Sequence, residues 1–482
     1  MRPTSLLLAP ILSLIALVTA RSSTGDRVLV VLDSNVKKNE YSQFWESLET
    51  RGYELTFKQP KDKDAELVKY GELNYDHLVM FAPGAKSFSP SLSPKSILHA
   101  QFAGLNTIYF ISPELTESSK ELLREYDLEF IDAGSSSSDI LIDSFNHPLE
   151  SSSSTVALSV TSSLVQDNVG EILSPSTLTG GPIIYPNGIV YQTGENPYLI
   201  DILHASKTSY IGQDKLLSSD ENQVEQAVSY KNNHKGSSSS SKDAIVNGKK
   251  AILVSALQTR DNVRIGFVGS TEMLKDTWWN KEIKTNDGKS VKTGNAGFIS
   301  DLSKWVFQET GVVKIIDSTH YRKGETEPRE LYTKKDEVTH SLTLAKHYTT
   351  ANGTSAWGPF EVDDLQLDFT MLDPHIRTAL KQDKSASVAQ GTTYKAKFIA
   401  PDRHGVFKFV VEYWRPGWSY IRSSEKASVV PLRHDEYPRF ITGAWPYYIA
   451  ACSTSITFLA FCALWVSLGE GDKDRKGKKK AE

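Results

Sequence analysis

Apolar residues recur along this chain in two rhythms. Between residues 27 and 131, short apolar runs at 28–32, 54–57, 77–81, 107–111 and 128–131 alternate with helix-like patterns at 41–48, 97–102 and 120–126. The apolar runs lack strict alternation, which suits strands covered on both faces, and their alternation with helices predicts a doubly wound, Rossmann-like α/β domain. Asp33, Pro83 and Ser112 would then follow strands, on the edge where such sheets usually receive ligands.

Further along, residues 183–191 read as strand, turn and strand around Pro186, Asn187 and Gly188. Residues 252–258 are expected to pair with 263–268 across the turn 259–262. Phe298, Leu302, Trp305 and Val306 fall on one helical face, ahead of Gly311 and a strand at 312–316. These elements are assigned to the same α/β unit, extended by β hairpins over residues 21–316. Serine-rich stretches at 135–138, 151–154 and 237–241 read as exposed, tolerated loops.

From residue 361 the period becomes two. Leu365, Leu367, Phe369 and Met371 share one face, followed by strands at 394–399, 406–413 and 427–430 and by turns at 401–405 and 415–417. This predicts an all-β unit over 317–440, a β-sandwich of roughly immunoglobulin size lying next to a membrane.

The two ends carry a different pattern. Arg2, an apolar run and the small-residue site Val18-Thr19-Ala20 make residues 1–20 a secretory signal peptide, expected to be removed. Residues 447–468 contain no charge and, at about 1.5 Å per residue, extend about 33 Å, enough for one bilayer crossing. Trp445, Tyr447 and Tyr448 supply an aromatic belt, and Pro446 sits in the first turn, where helices tolerate it. Residues 441–468 are thus membrane entry and span. The tail 469–482, with Lys473, Arg475, Lys476, Lys478, Lys479 and Lys480, is expected in the cytosol by the positive-inside rule. Lys479 and Lys480 are the fourth and third residues counted from the end, resembling the dilysine signal read by the retrograde coat. The expected place is the endoplasmic reticulum membrane, type I, with the bulk in the lumen. In the span, Ala450, Ser453, Thr457, Ala460, Leu464 and Ser467 recur at alternating spacings of three and four and form one stripe, read as the face toward partner helices.

Charge and cysteine content narrow the chemistry. A net charge of −4 lacks the basic excess that a phosphate backbone demands, so nucleic acid is not expected as a partner. Both cysteines, Cys452 and Cys462, fall inside the span, leaving the rest without disulfide, thiolate nucleophile or cysteine metal site. No GxGxxG, GxxxxGK[ST] or GxSxG occurs. Asp62-Lys63-Asp64 has the spacing of a metal-holding DxD but lies in a charged loop, while His320, His340 and His347 lack the spacing that would aim them together and read as exposed. Catalytic, cofactor and metal residues are accordingly expected to be none. Asn352-Gly353-Thr354 is an acceptor sequon between the two units, a glycosylation candidate.

Several longer segments carry a resemblance. Arg51-Gly-Tyr-Glu-Leu-Thr-Phe-Lys58, Lys69-Tyr-Gly-Glu72, Tyr75-Asp-His-Leu78 with Phe81-Ala-Pro83, Gly324-Glu-Thr-Glu-Pro-Arg329, Asp364-Leu-Gln-Leu-Asp-Phe369, Asp373-Pro-His-Ile-Arg377, Gly405-Val-Phe-Lys-Phe409 and Trp445-Pro-Tyr-Tyr448 are the segments concerned. Together they resemble the single-span DDOST-type, or wheat-germ-agglutinin-binding-type (beta), subunit family of the eukaryotic oligosaccharyltransferase complex, over nearly the whole chain. The resemblance implies a non-catalytic role in en bloc transfer of an oligosaccharide from dolichyl pyrophosphate to Asn in Asn-X-Ser/Thr. It implies that the catalytic groups sit on a separate multi-span subunit, and that ribophorin II-type and defender-against-death-type subunits are neighbours. It also implies that the α/β part is similar to glutamine-amidotransferase-like domains that have lost catalysis.

Two readings from other classes stand beside it. One is a free-standing hydrolase or glycosyltransferase anchored in the endoplasmic reticulum, which would need a convergent catalytic constellation. The other is a lectin-like cargo receptor in which Trp414, Trp418 and Tyr420 stack on sugars.

Overall fold

A computed structural model describes residues 21–130, 140–149, 151–164, 171–212, 248–284, 290–350, 354–372, 374–385, 390–437 and 439–478. The signal peptide, the serine runs 135–138 and 237–241, Asn352, Lys479 and Lys480 lie outside the described residues.

The first unit is built on a nine-stranded sheet. Its strands are β1 (Arg27–Leu32), β2 (Glu54–Lys58), β3 (His77–Phe81), β4 (Asn106–Phe110), β5 (Leu128–Phe130), β6 (Tyr191–Thr193), β7 (Leu199–His204), β8 (Ile252–Gln258) and β9 (Arg264–Val268). The order is β2-β1-β3-β4-β9-β8-β6-β5, with β7 also on β8. The strands β2 through β9 of that order are parallel, and the remaining pairs are antiparallel. Helix α1 (Ser42–Thr50), α2 (Pro94–Phe102), α3 (Glu117–Arg124) and α4 (Asn295–Val306) cover it. Val28 and Val30 point to one face with Phe44, Trp45, Leu48, Phe298 and Leu302. Leu29 and Val31 point to the other with Ile97, Leu122 and Leu123. Burial on both faces is why these strands read as continuous apolar runs.

Helix ends are fixed locally and at long range. Ser93 caps α2 by accepting the Ser96 N–H, with Pro94 behind it in the first turn. For α1 the cap comes from far away, because the Asp276 carboxylate accepts the N–H groups of Ser42 and Gln43 at 3.1 and 2.9 Å.

The expected hairpin over 183–191 does not form. Ile183–Pro186 pairs with Thr155–Leu158 in a separate two-stranded sheet, while β6 joins the main sheet. Tyr185 explains the break: its buried ring lies under Gly188, where a Cβ would come within 2.1 Å of it, and its hydroxyl donates to Ile189 O at 2.6 Å. The chain turns around that ring rather than back on itself. Nor is 151–154 simply an exposed loop, since Ser154 is buried in the turn that starts Thr155–Leu158.

The second unit begins earlier than expected. Its strands are β10 (Val313–Arg322), β11 (Leu331–Thr333), β12 (Glu337–Thr349), β13 (Ser355–Pro359), β14 (Gln366–Thr370), β15 (Pro374–Ala379), β16 (Lys381–Gln382), β17 (Thr392–Ile399), β18 (Gly405–Tyr413) and β19 (Ile421–Val430). A boundary between 316 and 317 would cut β10, which pairs only with β12 and so belongs wholly here. One five-stranded sheet runs β10-β12-β17-β16 with β13 on β12, and the other runs β11-β19-β18-β14-β15. Their inner faces share one core, in which Val338, Leu342 and Leu344 meet Leu367, Phe369, Phe407, Phe409 and Val411.

After β19 the chain continues to α5 (Trp445–Lys478), 34 residues long. The stretch Thr442–Leu468, a short turn plus most of α5, is long and apolar enough to cross a membrane and is not buried against the rest of the chain. The helix runs on through the basic residues, where only an undifferentiated tail was expected.

Candidate functional site

The described polar groups concentrate where the two units meet. Arg264 stands in β9 between Val263 and Ile265, and its guanidinium is fully buried without a carboxylate partner among the described residues. Nη1 donates to Trp305 O at 2.8 Å and Thr310 O at 2.6 Å, and Nη2 to Gly311 O at 2.7 Å. The charge lies 4.6 Å from the Trp305 ring centroid, at the carboxyl end of α4, where the helix dipole is negative. Burial pushes this guanidinium down to about 9, which leaves it charged at neutral pH.

The second unit is read by the same corner. Trp305 Nε1 donates to Gly417 O, Gln258 Nε2 to Trp418 O, and Asn262 exchanges hydrogen bonds with the Tyr420 backbone at 3.0 and 2.6 Å. Gly311 has φ +68°, and a Cβ there would meet Gly417 O at 2.2 Å, so only glycine lets the turns touch. Below them, Glu309 accepts from Arg51 and from the Tyr53 hydroxyl, both at 2.8 Å, in a buried ion pair. Sequence reasoning missed this junction, although an arginine inside an apolar strand was a visible signal.

This placement commits part of the surface that a lectin-like reading requires. Trp418 packs on Phe360 with centroids 4.8 Å apart and lies under Lys346, Tyr420 is tied to Asn262, and Trp414 abuts Tyr198 of the first unit. They are junction residues.

The histidines are buried, contrary to expectation. His320 and His340 face each other across β10 and β12, and both stack on Phe409 of the opposite sheet at 4.4 and 5.3 Å. His320 Nδ1 is 2.8 Å from the Tyr332 hydroxyl, and His347 lies between Glu309 O and Ser355 Oγ. Burial lowers all three, His340 to about 4. His77 is likewise lowered to about 4, held between Gly25 O and Asn106. Among the described residues no group of three or more His, Cys, Asp or Glu is placed to hold a metal.

At the carboxyl ends of the parallel strands, Asp33, Pro83 and Ser112 do gather, and the side chains flanking Gly84 are the acids Asp33 and Glu114, which disfavour a phosphate. Asp62 accepts the Gln59 N–H in a surface turn, as its loop reading requires. An open groove of about 490 Å³ lies on the outer face of the β10–β12–β17 sheet around Tyr321, Thr339 and Lys397. Two of its lysines, Lys323 and Lys395, are already paired with its own acids, Glu337 and Asp383.

In α5 the stripe Ala450, Ser453, Thr457, Ala460, Leu464 and Ser467 is exposed along one side. Its hydroxyls are satisfied within the helix: Ser453 donates to Ala450 O, Thr457 to Ser453 O and Ser467 to Leu464 O. Asn352 lies outside the described residues, at the connection of β12 to β13, where Thr350 N donates to Thr354 O.

Comparisons bear on the whole chain. A family profile described as OST48, N-terminal domain matches residues 19–309, and one described as OST48 middle domain matches 320–469. The dolichyl-diphosphooligosaccharide–protein glycosyltransferase 48 kDa subunit of Danio rerio is 31% identical over 93% of this chain and 93% of its own length. The Caenorhabditis elegans 48 kDa subunit is 32% identical over 95% of each chain, and the Schizosaccharomyces pombe subunit wbp1 is 32% identical over 91% of each. Among solved structures, a ThuA-like protein from Parabacteroides merdae aligns with 50% of this chain and 78% of its own at 13% identity, with a TM-score of 0.28, too low to inform the fold.

Proposed function

The chain belongs to the OST48 family, and from that premise we propose that it is a non-catalytic assembly subunit of the oligosaccharyltransferase, the complex that transfers oligosaccharide from dolichyl pyrophosphate to Asn in Asn-X-Ser/Thr. The observation that carries the subunit reading is identity near one third along the full length of relatives that bear that subunit's name. What supports the non-catalytic part is how the buried polar groups are used. Arg264, Arg51, Glu309, Asn262 and His347 are each committed to holding one segment against another.

In this reading the first unit is a Rossmann-like, amidotransferase-like domain, the second a β-sandwich, and α5 the single type I span. The lumen holds both units, the signal peptide 1–20 is removed, Asn352 is a glycosylation candidate, and Lys479 and Lys480 engage the retrograde coat from the cytosol. The partners are the multi-span catalytic subunit and the ribophorin II-type and defender-against-death-type subunits. Purification of the tagged chain from mild detergent is expected to yield a multisubunit particle that transfers glycan, while the isolated chain transfers none from lipid-linked donor to acceptor peptide. Turnover by the isolated chain would refute the assignment.

The stripe in α5 is the proposed contact with partner helices. Because its hydroxyls already bond within the helix, close backbone approach past small side chains supplies the attraction, rather than hydrogen bonds between helices. Replacing Ser453 and Thr457 together with leucine fills that contact while keeping the span apolar. The expected result is weaker co-purification of the ribophorin II-type and defender-against-death-type subunits with unchanged topology. Full recovery of the complex would mean that the stripe faces lipid.

A further inference from the structure

The second unit has two ends, and among the described residues one of them is covered by the first unit. The end formed by Gly417, Trp418 and Tyr420 docks on the first unit. The opposite end gathers the finish of β19, the turn after β11 and the finish of β17: Lys334 N donates to Val430 O, and Lys335 N to Ala400 O. From this end the chain leaves toward α5.

An apolar row crosses the outer sheet face at this end. Register places Leu331 beside Ser428 and Ser428 beside Val406. Leu372 follows β14, two residues beyond Thr370, whose partner Lys408 stands two residues from Val406. Leu372 is 91% exposed, and Leu331 and Val406 are exposed as well, while their neighbours Tyr332 and Phe407 point into the core. On the other sheet Ile399, in the last row opposite Glu337, is also exposed. The tether that follows adds exposed Tyr437, Phe440 and Ile441 just ahead of Trp445. The tether, which also carries Arg433, Asp435, Glu436 and Arg439, leads directly into the membrane-crossing stretch. Several charges here are matched within the end itself: Arg322 with Asp336, Lys323 with Glu337, Arg329 with Glu325, and Lys334 and Lys335 with Asp402, while Lys408 and Lys426 stand side by side on the same outer face. Where the charges are matched the surface has little field to draw an acidic protein or an anionic lipid, and attachment there comes from apolar contact.

We propose that this end of the second unit rests on the lumenal leaflet of the bilayer that α5 crosses, with Leu372, Val406 and Leu331 entering the zwitterionic headgroup layer. The proposal rests on the anchoring and topology given above. Single-span tethering keeps the end at high local concentration over the leaflet, so a shallow apolar contact suffices to set the angle of both units relative to the membrane.

The test uses the full chain with Cys452→Ser and Cys462→Ser, reconstituted in phosphatidylcholine nanodiscs that contain a shallow spin-labelled lipid. A fluorophore is placed singly through Leu372→Cys, through Trp445→Cys as the membrane reference, or through Tyr70→Cys on the exposed surface of the first unit. Quenching at 372 is expected to exceed that at 70 by about threefold or more, as an interfacial position requires, and to persist when the complex is purified into the same discs. Quenching at 445 with none at 372 would overturn the docking while leaving the anchoring intact. Absence of quenching at 445 would overturn the anchoring and the docking with it. If the label at 372 in the assembled complex is shielded from iodide but not quenched by the lipid, a protein covers the row and the proposal fails.

Discussion

Arg264→Met is expected to destabilise the chain by about 1 to 3 kcal/mol, the range for a buried acceptor left without its donor, and to split its unfolding into two steps. The substitution keeps much of the side-chain volume but leaves Thr310 O without its donor, while Trp305 O keeps the Gln308 N–H and Gly311 O the Ser419 N–H. Those carbonyls lie at and just past the end of α4, where the helix itself supplies few donors. The loss falls on the segment that joins the units, so the cooperativity between them should suffer more than either core. Differential scanning calorimetry of the full chain in detergent reads both effects, and protease should then cut near Gly311 in the variant before it cuts in the wild type. Arg264→Lys retains the charge but reaches fewer carbonyls with a single ammonium, so an intermediate loss is expected. One cooperative transition within about 1 kcal/mol of wild type, the ordinary scatter of a mild substitution, would show that the junction does not depend on this residue.

What was legible in the sequence follows from how local each signal is. The parallel strands, the four covering helices and the hairpin of β8 with β9 were readable because each buries neighbouring apolar residues in a fixed period, as with Val28 to Val31 and with Phe298, Leu302 and Trp305. The start of the second unit was not. In β12 the inward positions are Val338, His340, Leu342 and Leu344, and a histidine in a core slot broke the apolar alternation that identifies a strand. The same substitution misled the reading of the histidines, since burial of His340 depends on stacking against Phe409, a residue almost seventy positions away in sequence and on the other sheet. Long-range polar contacts were equally invisible: nothing near Asn262 announces that it will bond the backbone of Tyr420. Of the candidate site residues, the span and its stripe came from hydropathy and spacing alone, which is why the sequence places them without saying what they touch.

Acidification supplies the other large effect. His77 and His340 are each held to about 4 by burial, below the 6.5 of a free histidine. The unfolded chain therefore binds protons that the folded chain refuses, and stability, fully present above pH 6.5, falls as the pH drops toward 4. Each such histidine costs about 1.4 kcal/mol per pH unit across that window. His320 and His347 are lowered in the same direction by burial and add to the slope, whereas Glu425, which burial raises and which lies 3.6 Å from His320 Nε2, works against it. His340 has a second liability: among the described residues its Nδ1 has no partner, and a proton there would sit beside His320 over the Phe409 ring. For His77 the neutral ring is already matched, with Nε2–H toward Gly25 O and Nδ1 accepting from Asn106, so a charged ring would lose the second bond. Urea unfolding of the full chain in detergent between pH 7 and pH 5 should show a steep decline, and His77→Gln should flatten it by about 1.4 kcal/mol per unit. An unchanged slope in that variant, together with an unchanged slope in His340→Gln, would rule out the buried histidines as the source of acid sensitivity.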